Sequence, residues 1–403
     1  MKFSIPTNWQ EDLLEKIDLR KTEELFGKLE YDCVGGAHAS CLLPPVRKST
    51  VVRQIAKVHA HGLKFNYLLN APCLSNIEWT RAGQKNIRVL LDWVSEAGAD
   101  SVTVAVPYLI QLIKKCYPHF QTNVSIGGAV DTPLRAQYWE DLGADLITLS
   151  CVDVNRNFGI LKKIRARVRC KLQLIANLPC LPSCHMQRYH GGIASHASRE
   201  HDVSGNFHID YCSLTCRFMR LADPEKFISA VWIRPEDVIF YEEIGIDRIK
   251  LVDRGMNTET LVRVVNAYTD GRYDGNLMDL FPFSIDRYVV SSKKYFWKKL
   301  KYFFHPLKFN LPRFMELNRT LPASPIYLDN RKLDGFLDFF IQGKCPDNDC
   351  GRCGYCRSVA EKALVIPAEY REKMLRVYEE MLDELASGEL FYIHGKSKDA
   401  GSR

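Results

Sequence analysis

Through roughly the first 270 residues, short β-branched or apolar runs alternate with amphipathic stretches, and this alternation limits the fold more than any other feature. The runs are Tyr31–Gly35, Lys64–Asn70, Ser101–Pro107, Thr122–Ile126, Leu146–Cys151, Lys171–Asn177, Phe227–Trp232 and Arg248–Asp253. Helix-like segments such as Val51–His61, Asn86–Ala97, Tyr108–Lys115 and Arg135–Leu142 lie between them. Three of the junctions repeat one signal, a helix stop, a glycine and a strand start: Ala97-Gly98-Ala99-Asp100, Leu142-Gly143-Ala144-Asp145 and Ile244-Gly245-Ile246-Asp247. Strands that alternate with helices imply a parallel sheet, and eight repeats close a (β/α)8 TIM-like parallel barrel. A doubly wound open sheet is the alternative, but no G-x-G-x-x-G follows the first run.

A barrel of this kind takes about 250 residues. The chain has 403, so the sequence predicts a barrel over 1–280 and a smaller, cysteine-containing C-terminal region over 281–403. Hydrophobic residues at 46% and charged residues at 26% exclude broad disorder. No apolar run reaches the roughly 20 residues of a membrane helix. Met1–Arg20 has no apolar signal core, so a cytoplasmic protein is expected. The net charge of +7 allows an acidic partner, RNA or an anionic lipid surface, and equally a solvated basic face.

Two parts break the rhythm. Residues 178–218, after the sixth run, are too long for an ordinary connection and are rich in Cys, His, Gly and Ser. Barrel enzymes place their chemistry at strand C-termini. From Arg287 to Arg319 lysines interleave with aromatics, including Lys293, Lys294, Phe296, Trp297, Lys298, Lys299, Phe303 and Phe304. Such a stretch can bind RNA, lie on an anionic membrane surface, meet a partner or pack on the barrel. Pro367–Leu385 reads as an amphipathic helix with proline in its first turn. The tail from His394 is polar, and a frayed end is expected.

Fourteen cysteines in a chain read as cytosolic point to metal rather than to disulfides. Cys33, Cys116 and Cys170 read as small hydrophobes, while Cys41, Cys73 and Cys151 fall near strand ends. The insertion holds two C-x3-C pairs, Cys180/Cys184 and Cys212/Cys216. Four thiolates suit a [4Fe–4S] cluster or zinc. His185, His190, His196, His201 and His208 share the insertion and could serve zinc, or a cluster's surroundings. The second group, Cys345, Cys350, Cys353 and Cys356, is spaced C-x4-C-x2-C-x2-C with glycines that let the backbone wrap a cluster. Structural zinc is the alternative there. The radical-SAM loop C-x3-C-x2-C is absent, as are H-E-x-x-H, the phosphate loop and G-x-S-x-G.

Residues 30 to 270 resemble the peptidase U32 family. The resemblance is carried by Val34-Gly35-Gly36, Tyr67-Leu68-Leu69-Asn70, Gly98-Ala99-Asp100-Ser101, Asn177-Leu178-Pro179-Cys180 and the stretch from Gly245 to Arg254. The family's common spacing after the first loop cysteine is C-x6-C, whereas this chain has C-x3-C. Cys180 is therefore matched by position, and Cys184, Cys212 and Cys216 only by spacing. The resemblance implies a TIM-like barrel and, for several members, oxygen-independent hydroxylation of RNA or of a small ubiquinone precursor. It also implies a [4Fe–4S] cluster held by four cysteines and a related U32 chain as partner. The group from Cys345 to Cys356 lies outside the family pattern.

The expectation is thus an iron–sulfur redox enzyme, a hydroxylase of a small molecule or RNA, with one or two clusters. A U32-type peptidase and a zinc-stabilised RNA-binding or scaffold protein are the competing readings. Asn70, Asn123, Asp153, Arg156, Lys250, Asp253 and Arg254 fall near strand ends and are candidates to line a pocket. Lys250 and Arg254 could hold a carboxylate, or else pair with Asp253 or Glu243.

Overall fold

Eight parallel strands pair in chain order and close on themselves in the computed structural model. They are β1 (Lys2–Pro6), β2 (Thr22–Gly27), β3 (Lys64–Leu69), β4 (Ser101–Val104), β5 (Gln121–Val124), β6 (Leu146–Thr148), β7 (Lys171–Ile175) and β8 (Arg248–Lys250). Pairing of β1 with both β2 and β8 completes the ring. The structure describes residues 1–200, 209–283, 287–291, 324–345 and 350–392, with the single residues 202, 206, 310 and 313.

Side chains alternate along each strand. One set faces the helix layer and is apolar: Phe3 packs edge-on against Tyr268, and Tyr67 against Trp93. The other set points inward and is polar. Ser4 Oγ donates to Glu24 Oε1 at 2.7 Å, Asn66 Nδ2 donates to the same oxygen at 3.0 Å, and Thr103 Oγ1 donates to Asn66 Oδ1 at 2.9 Å. Gln173 Nε2 donates to Thr148 Oγ1 at 2.8 Å and Arg248 Nε to Gln173 Oε1 at 2.7 Å. Arg248 also reaches Glu24 Oε2 at 2.9 Å. The barrel is filled by a hydrogen-bonded net that satisfies groups too costly to bury alone.

This polar filling explains two corrections. β1 and β2 were not among the expected runs, because Ser4, Glu23 and Glu24 break their apolar character. Conversely, Tyr31–Gly35 is a turn, closed by Asp32 Oδ1 accepting from the Val34 and Gly35 amides at 3.0 and 2.7 Å. Phe227–Trp232 is the end of the short helix Glu225–Ile228 and a buried loop. The count of eight survived because two strands were missed and two were misassigned. The long insertion therefore follows the seventh strand, not the sixth.

The insertion runs from β7 across the barrel's C-terminal face. It carries the helices Gln187–His196 and Tyr211–Ala222. Ser198 Oγ accepts from the Gly36 amide at 2.7 Å, the Ser40 amide donates to Ala197 O at 3.2 Å, and Arg199 reaches Ser75 at 2.7 Å. These bonds tie it to the loops after β2 and β3. The C-terminal region adds a small antiparallel pair, β9 (Tyr327–Leu328) and β10 (Leu364–Val365), and the helix Ala368–Ser387 with Pro367 at its N-cap. Arg371 of that helix donates to Leu221 O and Ala222 O at the end of the insertion. Of the basic–aromatic stretch, Arg287–Ser291, Asn310 and Arg313 are described and the rest lies outside the described residues. Arg287 pairs with Asp279 at 2.7 Å, and Arg313 with Glu384 at 2.6 Å. Among the described residues no helix is long and apolar enough to cross a membrane.

Candidate functional site

The mouth of the barrel concentrates buried charge. Lys28, just past β2, pairs with Asp32 Oδ2 at 3.0 Å, and Tyr67 donates to the same oxygen at 3.1 Å. Burial pushes the Lys28 ammonium below its ordinary value, with Asp32 opposing. Lys250, on β8, is buried with its ammonium 3.8 Å from the centre of the Phe26 ring. Burial brings it down to about 7. Burial likewise brings Arg254 down to about 10, against the pull of Asp253, Tyr67 and Asp32. The side chains of Lys250 and Arg254 form no hydrogen bond or ion pair among the described residues. Two buried cations without a directly bonded counter-ion are costly unless an anion joins them.

Asp253 does not supply that anion to Arg254. Its Oδ1 faces His38 Nε2 at 3.0 Å and accepts from the Gly255 amide at 2.8 Å, while Tyr288 donates to Oδ2 at 2.7 Å. These partners overcome burial and hold the carboxyl well below its usual range. Asn177 fixes the end of β8 by accepting from the Val252 amide at 2.7 Å. Asn70 is buried beside Gly36 and its bonds are long, 3.4 Å from the Ala37 amide and 3.5 Å to Ser125 Oγ. Asn123 is buried on β5.

Two candidates do not join this mouth. Asp153 accepts from Ser150 Oγ at 2.6 Å in its own short helix turn. Arg156 turns outward, because Asn155 is anchored inward to Ile175 O and Val231 O. Its guanidinium lies among Trp232, Phe336 and Phe340 in the outer layer, 4.6 to 5.0 Å from each ring centre. Reading the sequence alone missed Lys28, Asp32, His38, Tyr67 and Tyr288. The Lys28–Asp32 spacing and the Gly-Gly-Ala-His run ending at His38 were the available signals, hidden because β2 had not been recognised.

Cys180 lies five residues past the end of β7, and its carbonyl accepts from the Val231 amide at 2.9 Å. Cys180 lies near Cys216 and Cys184, and Cys212 near Cys184 and Cys216, closely enough for each thiolate to disfavour its neighbours. Burial comes first in pushing Cys180 and Cys212 up to about 12. Arg220 Nη1 stands 2.7 Å from Cys216 Sγ. Cys345, Cys350, Cys353 and Cys356 gather in the same way in the C-terminal region, near Glu225 and Arg156. All fourteen cysteines are free. Among the described residues, no group of three or more His, Cys, Asp or Glu side chains is already set close enough to grip a metal ion. Each donor set has the chemistry of a thiolate metal site, and each has a cation beside it that lacks a carboxylate partner.

The other cysteines vary. Cys151 is buried next to Cys180, Cys33 and Cys170 are half-buried, and Cys116 is exposed, contrary to its reading as a buried hydrophobe. His190 pairs with Asp210 and His196 with Asp202, each at 3.1 Å. His201 and His208 lie outside the described residues.

No family model matches the chain. It is 29% identical over 357 residues to the uncharacterized protease MJ1657 of Methanocaldococcus jannaschii, covering 88% of this chain and 93% of that protein. Among solved structures it is similar to the U32 peptidase Mk0906, at 23% identity and a TM-score of 0.48, over 63% of this chain and 93% of that one. A more distant likeness is to the YdjI aldolase of Escherichia coli K12, at 11% identity and a TM-score of 0.31, over 67% of this chain and 80% of the other. The likeness to MJ1657 extends over most of both chains, beyond the barrel and into the C-terminal region.

Proposed function

We propose that this U32-type barrel is an iron–sulfur redox enzyme acting on an anionic substrate, a hydroxylation without oxygen being the reaction class that the resemblance suggests. The observation that carries the reading is the gathering of Cys180, Cys184, Cys212 and Cys216 in the insertion that follows β7, in a barrel that also buries Lys250 and Arg254 at the end of β8. Cys180, Cys184, Cys212 and Cys216 would hold a [4Fe–4S] cluster, which supplies one-electron chemistry when bound. Lys250 and Arg254 would bind and orient a carboxylate, since a fixed guanidinium and a desolvated ammonium favour an anion in a dry site. Tyr288 and His38 hold the Asp253 carboxylate ionised at the end of β8, where it stays a fixed negative charge. The C-terminal cysteines would hold a second cluster or a structural zinc.

Protein isolated without oxygen should be brown and carry about four irons with matching sulfide for each cluster. Cys180→Ser should remove one cluster's worth. Zinc without sulfide at both groups would instead make the protein a zinc-stabilised scaffold, the RNA-binding alternative. A hydrolytic reading rests on the protease name of the relative and on the His38–Asp253 contact at 3.0 Å. Cleavage of a protein substrate that His38→Ala abolishes would favour it over the redox reading.

A further inference from the structure

Two arginines lie apart from the barrel mouth and share an unusual environment. Arg220 is 3% exposed. Its guanidinium lies 5.0 Å from the centre of the Phe283 ring, its Nη1 meets Cys216 Sγ at 2.7 Å, and its Nη2 donates to Pro179 O. Its Nε is buried without a partner. Arg156 is boxed by Trp232, Phe336 and Phe340 and donates through Nη1 to Ile228 O at 2.6 Å. Its Nε and Nη2 are buried without partners. Neither arginine forms an ion pair among the described residues. The groups that favour the charge of Arg156 are Cys356 first, then Tyr241, Asp237 and Cys345.

A buried guanidinium facing aromatic rings has given up water and gained only ring contacts, each of modest strength. Leaving N–H donors without acceptors adds a further cost. The cost falls if the cysteines beside each arginine are thiolates, because four thiolates on a metal carry net negative charge. Donation of N–H groups to metal-bound sulfur also tunes such sites. Arg220 already aims Nη1 at Cys216 Sγ, and the three rings around Arg156 keep its guanidinium in one orientation before any metal arrives.

We propose that Arg156 and Arg220 are matched positioning residues, each supplying the cationic donor for one four-cysteine thiolate site. Arg220 serves Cys180, Cys184, Cys212 and Cys216, and Arg156 serves Cys345, Cys350, Cys353 and Cys356. The inference rests on the reading that both groups hold metal, and adds that each site depends on its own arginine.

The probe is cobalt(II) alone, added to the full metal-free chain without oxygen and followed by its thiolate charge-transfer absorption. Cys216→Ser and Cys356→Ser mark the two sites by reducing the band separately. Arg156→Gln should weaken the site marked by Cys356→Ser by about 10-fold or more in chelator competition and leave the other unchanged. Arg220→Gln should do the reverse. In each variant the pH midpoint of cobalt uptake should move up at the affected site only, by about one unit, a shift that general loosening of the fold would not confine to one site. Arg156→Lys and Arg220→Lys keep the charge and should restore part of the loss, which keeps the test decisive should a glutamine variant fail to fold. Unchanged affinity and unchanged pH midpoint in both glutamine variants, with both bands present in the parent, overturns the inference and leaves the metal reading standing. A parent chain with no band, or one that neither serine variant diminishes, overturns the metal reading and the inference with it.

Discussion

Lys250→Met tests whether the barrel mouth is built around a cation that the fold itself penalises. The ammonium is buried against the Phe26 ring and held down to about 7, chiefly by burial, with Glu24 opposing and with Arg248 and Arg254 adding repulsion. The ordinary value is 10.5. Between those two values the unfolded chain binds a proton that the folded chain has released, so stability rises with pH across that window. The gap, 10.5 − 7, is 3.5 units. At about 1.36 kcal/mol per unit it sets an upper bound of about 5 kcal/mol on the penalty, present in full below pH 7 and gone above about pH 10.5. Methionine keeps most of the volume without the charge, and loses a ring contact worth on the order of 1 kcal/mol. The variant should therefore be the more stable chain at pH 6, by a few kcal/mol. That advantage should shrink by up to about 1.4 kcal/mol per pH unit between pH 7 and 10. Urea denaturation of both chains at each pH, under reductant, gives the difference and cancels every other titrating group. A variant less stable than the parent at pH 6, or an advantage that does not change with pH, would refute the reasoning.

Glu24→Leu should cost about 3–5 kcal/mol by urea denaturation, because Arg248 would keep only Glu23, at 3.7 Å, as an acidic partner inside the barrel. A loss under about 1 kcal/mol would show that the interior net is not held by that pair. Gly255→Ala should cost about 1–3 kcal/mol in thermal unfolding, since a Cβ there would stand 2.4 Å from Tyr288 Cδ1 and 2.9 Å from Leu42 O. An unchanged melting temperature would mean that Tyr288 moves off Asp253 without cost.

The barrel was legible from its rhythm, and six of its strands from apolar runs. The other two were not, because a barrel filled by Ser4, Glu24, Asn66, Gln173 and Arg248 does not write an apolar signature on every strand. Glu24 reads as a surface residue until Arg248, more than two hundred positions later, is seen to face it at 2.9 Å. The cysteine groups were legible because local spacing encodes them. Their arginines were not: Arg220 stands four residues from Cys216 and could have been suspected, but Arg156 comes near Cys356 only through the fold. Lys250 and Arg254 were legible as charges at a strand end, whereas their lack of partners is a property of the assembled mouth.

The misread run Phe227–Trp232 shows what such a segment can be when it is not a strand. Its residues are buried, yet it adds no rung to the barrel. The Val231 amide bonds to Cys180 O, which fixes the start of the insertion against this run. Ile228 O accepts from Arg156, and the Trp232 ring forms one side of that guanidinium's box, with Trp232 Nε1 donating to Phe227 O at 2.8 Å to hold the ring in place. One face of the run therefore supports the first cysteine group and the other supports the cation beside the second. Apolar burial and backbone polarity are used together here. The side chains fill the space between barrel and C-terminal region, and the peptide groups left unpaired by the absence of a strand partner are spent on placing Cys180 and Arg156. One short run thereby places both Cys180 of the first group and the arginine near the second, although about 130 residues of sequence separate Cys216 from Cys345.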